Sequence, residues 1–286
     1  MPGIATIPHA RHDKAMPPEG EKLTEQEWLK CKETDAMLEH VRAWATDRQF
    51  RLFMCACVRR VLPALARHKG PREVCEKRIA AGEAYVDGFL SHAEMRATDT
   101  VQDYLRSGNG PAYLATVAAG CITCAIIEDG RPMRFGRNVI AHPASEAATF
   151  SEGARGSLLR DALWKKDRKL ASAKKRAATI EDRKMQIAFL HDIFGNPFHP
   201  VPPSSDAKAW RTAWKRFLKK HHEVTTLARI IYDQREFSRM PALAEALEKA
   251  GCREPSFISH CRTDTVHIRG CWVLELILNS SPIACP

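Results

Sequence analysis

Apolar residues recur at intervals of three and four along most of the chain, and this spacing predicts helices. In TDRQFRLFMCACVRRV, for example, Phe50, Met54 and Cys57 fall on one helical face. Two further segments open on the Ser/Thr-x-x-Glu pattern of a capping box, at Thr24 and at Ser91. No segment alternates apolar and polar residues as a half-buried strand would. The pattern predicts an all-α protein, a multi-helix bundle or an irregular helical array that could divide into two lobes.

Glycine, proline and the loss of apolar periodicity divide the chain into four parts. Residues 1–22 have no regular pattern and no apolar stretch of the kind found in a secretory signal, so they predict a flexible leader. Glycine, proline and arginine are interspersed over 130–156, which predicts a loop. This loop would separate an N-terminal helical lobe, 23–129, from a C-terminal helical lobe, 157–286.

The helical pattern of the second lobe begins as one long helix over 157–194, or as two helices with a break near Thr179. The sequence FGNPFHPVPP ends it, because Gly195 suits a left-handed cap and the prolines cannot continue a helix. Phe198 and His199 could line the rim of a pocket at this turn. The simpler interpretation is a helix stop whose phenylalanines anchor the next segment in the core.

Composition sets the class of protein. The 286 residues are 44% hydrophobic, enough to fill a core, and the longest apolar run, Ala112–Ile127, is shorter than the ~20 residues of a transmembrane helix. That run predicts a buried helix. The chain has ten cysteines, but several lie within apolar helical runs, where cysteine acts as a small hydrophobe. With no export signal, we expect a cytoplasmic protein with reduced thiols and no transmembrane segment.

The positive charge is concentrated in one segment. The formal net charge of the whole chain is +10. Residues 155–235 alone carry 19 Lys and Arg against 8 Asp and Glu, a net charge of +11, so the rest of the chain is nearly neutral. A local basic surface for an acidic partner, protein or nucleic acid, is therefore predicted.

The segment AWRTAWKRFLKK is the most informative part of this basic stretch, because it is amphipathic. Its apolar stripe consists of Trp210, Ala213, Trp214, Phe217 and Leu218. The cations predicted to form the binding face are Lys165, Lys166, Lys174, Lys175, Arg176, Lys208, Arg211, Lys215, Arg216 and Lys219. Such cations could contact phosphates, an anionic membrane surface or an acidic protein, or could belong to an ordinary solvated surface.

A cluster of cysteines and histidines near the C-terminus is a candidate metal site, with zinc as the metal. Its candidate ligands are Cys252, His260, Cys261, His267 and Cys271. His267 and Cys271 are four residues apart, so a helix would place them on one face. The spacing matches no standard zinc pattern, however, and buried structural cysteine and histidine is the simpler interpretation. No cofactor is therefore assigned.

No residue is predicted to be catalytic. A cysteine nucleophile needs a lowered thiolate pKa, an oriented histidine and an oxyanion hole, and no signature of these is found. Cys121 and Cys124 have redox spacing, CITC, but lack the βαβ context that gives this spacing its meaning.

Several motifs resemble a family of uncharacterised helical proteins common in planctomycete bacteria. The resemblance lies in TEQEWLKCKETDAMLEHVRAWATDRQFRLFMCACVRRV, LHDIFGNPFHPV, LARIIYDQREFSRMPALAEALEKAGC and HCRTDTVHIRGCWVLELIL. It covers about the first ninety and the last hundred residues, and it implies no assigned activity. Between Trp210 and Leu227 the chain looks longer than the family pattern, so the basic helix is particular to this protein.

Three hypotheses about function follow. The first is a non-enzymatic helical interaction module that binds an acidic partner, protein or nucleic acid, through the basic face. The second is a metal-binding or enzymatic protein that uses the C-terminal cysteine and histidine cluster. The third is a structural subunit of a larger assembly.

Overall fold

The computed structural model confirms the all-α class predicted from periodicity. It describes residues 22–100, 103, 110–123, 134–135, 138–139, 143–201 and 207–278. The predicted leader, apart from its last residue, lies outside these residues. Within them, the only strands are a two-residue antiparallel pair, β1 (Arg134–Phe135) with β2 (Asn138–Val139).

The first half of the fold is built from helices of 6 to 18 residues, three of which begin with a capping box. Its helices are α1 (Glu25–Lys30), α2 (Thr34–Val41), α3 (Asp47–Arg59), a 3₁₀ turn (Leu62–Leu65), α4 (Lys69–Val86), α5 (His92–Ala97) and α6 (Pro111–Thr123). Both predicted capping boxes are present, since Thr24 and Ser91 each exchange hydrogen bonds with the glutamate three residues later. The buried helix predicted from the longest apolar run is confirmed as α6. None of the described helices has the length and apolarity needed to cross a membrane.

The second half contains the longest helix and the basic segment. Its elements are α7 (Pro143–Asp161), α8 (Arg168–Phe194), α9 (Ala207–Lys220), α10 (His222–Gln234), a 3₁₀ turn (Phe237–Arg239), α11 (Met240–Lys249), α12 (Pro255–Arg262) and α13 (Trp272–Leu278). The predicted stop after α8 is confirmed, with Gly195 as its cap at φ +61°.

The loop predicted over 130–156 is wrong from Pro143 onward, where α7 begins. Its buried face consists of small residues, including Ala144, Ala147, Ser151 and Ala154, at helical spacing. This pattern was missed because glycines interrupt it and its fully buried positions before Leu158 are all small. One of the glycines serves close packing: a Cβ at Gly156 would lie 3.2 Å from the Thr179 hydroxyl of α8.

The break predicted near Thr179 is also misplaced. Helix α8 runs through that residue, and the chain turns instead over residues 162–167, after α7. Asp167 caps the new helix by accepting a hydrogen bond from the backbone N–H of Leu170 at 2.9 Å.

Two hydrophobic cores organise these helices. The first core lies among α1–α4 and α6–α8 and includes Trp28, Phe53 and Ile193. The second core lies among α9–α13 and includes Tyr232 and Phe257. The division therefore falls after α8 and not at the predicted loop, because the apolar end of α8 packs against α2, α3 and α7.

An ionic junction joins the two cores. It consists of Arg48, Arg59, Glu83, Asp87, Tyr232, Arg235, Arg269 and Glu275. Arg48 of α3 binds Glu275 of α13 through two contacts of 3.0 Å. Arg269, just before α13, pairs with Asp87 of the first core and stacks 4.4 Å above the ring of Tyr232. Buried groups of opposite charge thus compensate one another across the boundary.

Glu83 is the most enclosed carboxylate at the first-core side of this junction. Burial alone would raise its pKa, but the hydrogen bond and charge of Arg59, with the charges of Arg235 and Arg269, lower it below its ordinary value of 4.5. Glu83 is therefore an ionised group on which three arginines depend.

Replacing Glu83 by glutamine should cost roughly 3–5 kcal/mol of unfolding free energy near neutral pH, because three arginines lose their buried partner. The folded-state pKa is depressed, so this contribution is complete above about pH 4.5 and is lost as the pH falls through the lower folded-state value. Urea unfolding at ~pH 7 and ~pH 3 should show the difference from wild type shrinking with acid.

Glu76→Gln is the matched control, since Glu76 lies on the same helix in a surface pair with Arg72 and is 45% exposed. It should change stability by less than about 1 kcal/mol at either pH. Equal losses for the two variants would contradict the role given to Glu83.

Gly270 lets the segment before α13 approach the first core. Its φ is +97°, and a Cβ there would lie 3.1 Å from Leu52 and 3.5 Å from Ile193. Both the backbone angle and the available space therefore require glycine.

Gly270→Ala should lower the unfolding free energy by roughly 2–4 kcal/mol, about 1 from the positive φ and the rest from overpacking. Gly251→Ala is the control, because its φ of +84° is similar but no atom lies within 4 Å of the added Cβ. Gly251→Ala should lose only the ~1 kcal/mol of unfolding free energy that comes from the positive φ. Denaturant titration measures both variants, and equal losses would contradict the role given to the close contact at Gly270.

Candidate metal centre

Asp192 is a buried carboxylate in the last turn of α8. It is 2% exposed and lies between His191 and the buried pair Ile193 and Phe194, at which the helix ends. A negative charge is unfavourable there, because the helix macrodipole places partial negative charge at the C-terminal end. The fold must therefore supply donors or a cation to this carboxylate.

The segment between α12 and α13 supplies them. It leaves α12 after Arg262 and turns at Gly270 before α13 begins at Trp272. His267 and Cys271 both lie in this irregular segment, so the predicted helical face between them does not exist. They meet because the turn at Gly270 folds the chain back, an arrangement that residue spacing alone does not reveal.

Four side chains of metal-binding type converge at this point, namely Asp192, His260, His267 and Cys271. One ligand atom from each lies within 4.8 Å of all the others. Asp192 Oδ1 is 2.7 Å from His267 Nδ1 and 3.1 Å from His260 Nε2. Cys271 Sγ is 3.2 Å from His260 Nε2 and 3.9 Å from His267 Nδ1. We call these four residues the metal cluster.

Each histidine of the metal cluster faces the carboxylate and the thiol through the same ring nitrogen. His260 uses Nε2 for both Asp192 and Cys271, and His267 uses Nδ1 for both. In a nucleophilic triad, the nucleophile and the orienting carboxylate occupy opposite nitrogens of one imidazole. The four atoms lie within 4.8 Å of one another, so a cation placed among them would be within reach of all four.

The electrostatics of the metal cluster oppose a reactive thiol. Burial, followed by the charge of Asp192, raises the pKa of Cys271 well above its ordinary value of 9.0. Burial would also raise the pKa of Asp192, but hydrogen bonds and charge interactions with both histidines lower it below its ordinary value. The carboxylate is thus ionised, and a thiolate at Cys271 requires a cation beside it.

Neighbouring groups fix some ligands more firmly than others. The backbone N–H of Ile268 donates to Asp192 Oδ2 at 2.8 Å, which leaves Oδ1 for the histidines. Such outer contacts orient metal ligands. The far nitrogen of His267, Nε2, is buried without a hydrogen-bond partner among the described residues. His267 is therefore held by the contacts of Nδ1.

Three of the five predicted ligands meet in the metal cluster, and two do not. Cys252 and Cys261 lie in the second core, outside the cluster, and burial raises the pKa of both thiols. Cys261 follows His260 directly, so its side chain leaves α12 in a different direction. Asp192 was missed because it lies far away in sequence. An acidic residue in the last turn of a helix, where the helix dipole disfavours it, was the signal that could have indicated it.

The basic residues occupy two separate helices. On α9, Lys208, Arg211, Lys215, Arg216 and Lys219 are exposed. Trp214 and Leu218 are buried in the second core, whereas Ala213, predicted to share their stripe, is exposed at its edge.

The remaining predicted cations lie at the beginning of α8 and in the turn before it. Lys165, Lys166, Lys174 and Arg176 are exposed, and Lys175 is half-buried. Helical rise places Lys175 about 28 Å from the end of α8 that meets the second core. The basic segment 155–235 therefore does not form one continuous row.

Two other predicted features have ordinary structural roles or lie outside the described residues. Phe194 is buried, whereas Phe198 and His199 are exposed, so only the first phenylalanine anchors the turn in the core. Cys121 is half-buried, and its thiol faces the backbone carbonyl of Val117 at 3.6 Å. Cys124 lies outside the described residues.

Comparison with protein-family models, with curated proteins and with solved structures finds no match. The resemblance to the planctomycete family and the hypothesis of a subunit in a larger assembly stay predictions.

Cys271 should resist alkylation in the folded protein, because its thiol is enclosed and its pKa is far above neutrality. Iodoacetamide at about pH 8 should modify the half-buried Cys31 at least about tenfold faster, as read by peptide mass spectrometry. Rapid modification of Cys271 before unfolding would favour a nucleophilic role over a coordinating one.

Proposed function

We propose that this protein binds one zinc ion in the metal cluster and that the metal has a structural, non-enzymatic role. The observation that carries the proposal is the convergence of Asp192 Oδ1, His260 Nε2, His267 Nδ1 and Cys271 Sγ within 4.8 Å. A tetrahedral zinc with bonds of 2.0–2.3 Å separates its ligand atoms by roughly 3.3–3.6 Å. The contacts of 2.7–3.9 Å bracket this range, so a metal needs shifts of about an ångström.

Zinc suits this set of ligands better than calcium or magnesium. One thiolate and two imidazoles exclude the hard cations calcium and magnesium, which take oxygen ligands. With Asp192 and Cys271 both ionised, a divalent cation gives a neutral site. Neutrality matters because the cluster is buried, where an uncompensated charge is costly.

The closed ligand set favours a structural role over a catalytic one. Catalytic zinc keeps a position open for water or substrate, whereas four protein ligands complete a tetrahedron. Cys271 is fully buried and Asp192 nearly so, which leaves little access for a substrate.

The structural role proposed is to fasten the second core to the first. Asp192 belongs to α8, whose C-terminal turn lies in the first core, while the other three ligands come from α12 and the segment that follows it. A metal between them would act as a cross-link between two helical units that share no continuous apolar core.

A reducing compartment fits this proposal, and we infer a cytoplasmic location. Eight described cysteines are free, and most are buried among apolar side chains. The proposed zinc site also requires a reduced thiolate at Cys271.

Protein purified without a histidine tag should contain about one equivalent of zinc by elemental analysis, as expected for a structural site. Cys271→Ala and Asp192→Asn should each lower zinc affinity at least about tenfold, because each removes an anionic ligand. Chelation should lower the melting temperature of wild type but not of these variants. Less than about 0.1 equivalent of zinc or iron in wild type would contradict the proposal.

Cys261→Ala is the matched control, since Cys261 is as fully buried as Cys271 but is not in the cluster. It should retain one equivalent of zinc and its response to chelation. If Cys271→Ala fails to fold, cobalt titrated into chelated wild type gives a second readout. Absence of thiolate-to-cobalt and tetrahedral ligand-field absorption would then argue against the site.

A further inference from the structure

Helix α9 carries a dense set of cations that the fold itself does not use. Its six basic residues are Lys208, Arg211, Lys215, Arg216, Lys219 and Lys220, and all six are exposed. Among the described residues, none of the six lies within 4.0 Å of a carboxylate oxygen. The half-buried arginines of the ionic junction, in contrast, are paired with carboxylates. The charge on α9 therefore is not explained by internal stabilisation.

The apolar stripe of α9 fixes the direction in which these cations point. Trp214 is buried, its ring meets Phe257 edge-on at 5.2 Å, and its indole N–H donates to the carbonyl of Leu276 at 3.1 Å. Leu218 is also buried in the second core. Because these contacts orient the helix, the opposite face is presented outward.

Four of the exposed cations form a row along the helix. At 3.6 residues per turn, Lys208, Lys215 and Lys219 fall within about 40° of one another, and Arg211 lies beside them. With a rise of 1.5 Å per residue, the row is about 16 Å long. Each turn of the helix thus contributes at least one cation to the same face.

We propose that this row binds the phosphodiester backbone of nucleic acid without reading its sequence. Evenly spaced cations suit a polymer with one phosphate per nucleotide, and lysine binds phosphate as a point charge. A membrane partner is disfavoured because the apolar stripe that would enter the lipid is already packed in the second core. The row itself consists of lysine and arginine without an aromatic side chain, so we expect it to contact phosphates and not bases.

Fluorescence anisotropy with labelled ~20-nucleotide single strands and ~20-base-pair duplexes tests this proposal. Affinity should fall with salt, with a log–log slope of about −3 to −4 if four phosphates are neutralised. Reversing Lys208, Arg211, Lys215 and Lys219 to glutamate should weaken binding at least about tenfold and flatten the slope. These four side chains are exposed, so the fold should be kept, which circular dichroism would check.

The matched control reverses Lys165, Lys166, Lys174 and Arg176, which are also exposed and change the net charge equally. It should leave affinity within about twofold, since a local row and not net charge is responsible. Equal weakening by both variants, or no salt-dependent binding by wild type, would overturn the proposal. Tighter binding to polyglutamate or to phosphatidylserine vesicles than to nucleic acid would overturn it in favour of an acidic protein or a membrane.

Discussion

A buried negative charge at the C-terminal end of a long helix is the constraint on which the contact between the two cores depends. Asp192 lies where both the apolar core and the helix dipole oppose an ionised carboxylate. The fold resolves this by bringing two imidazoles and the backbone N–H of Ile268 to its oxygens. Removing the carboxylate would relieve the penalty at once. In the proposed zinc site the same carboxylate would be an anionic ligand, a role that a neutral residue would fill less well.

The segment between α12 and α13 contacts both cores, because successive residues in it face different partners. His267 and Cys271 belong to the metal cluster, while Arg269, between them, reaches Asp87 in the ionic junction. Gly270 allows the close approach to Leu52 that both sets of contacts need. A disturbance on one side of the segment therefore reaches the other through only a few bonds. The contacts of the metal cluster and those of the ionic junction are thus linked by chain geometry, although no atom is shared between them.

Much of the local structure could be predicted from sequence, because it depends on local rules. The capping boxes at Thr24 and Ser91 and the stop at Gly195 require only neighbouring residues. Helix α7 was missed because its buried face is made of alanine and serine, which carry little hydrophobic signal. His260, His267 and Cys271 could be nominated from their residue types. Asp192 could not be joined to them, because no spacing rule relates a helix end to a segment nearly seventy residues later.

The proposed zinc site and the proposed nucleic-acid row differ in how their charges are exposed to water. Within the ionic junction and the metal cluster, charges are enclosed and matched, as low-dielectric surroundings require. On α9, cations are exposed and unmatched, which costs little in water and leaves their field available to a partner. The same helix contributes Trp214 and Leu218 to the second core, which the proposed zinc site fastens to the first. A rigid attachment matters for a weak electrostatic contact, because a cationic row binds a polyanion best when its charges are held in register. On both proposals, the zinc site would hold the second core, and with it the cationic row, in a fixed position relative to the first core.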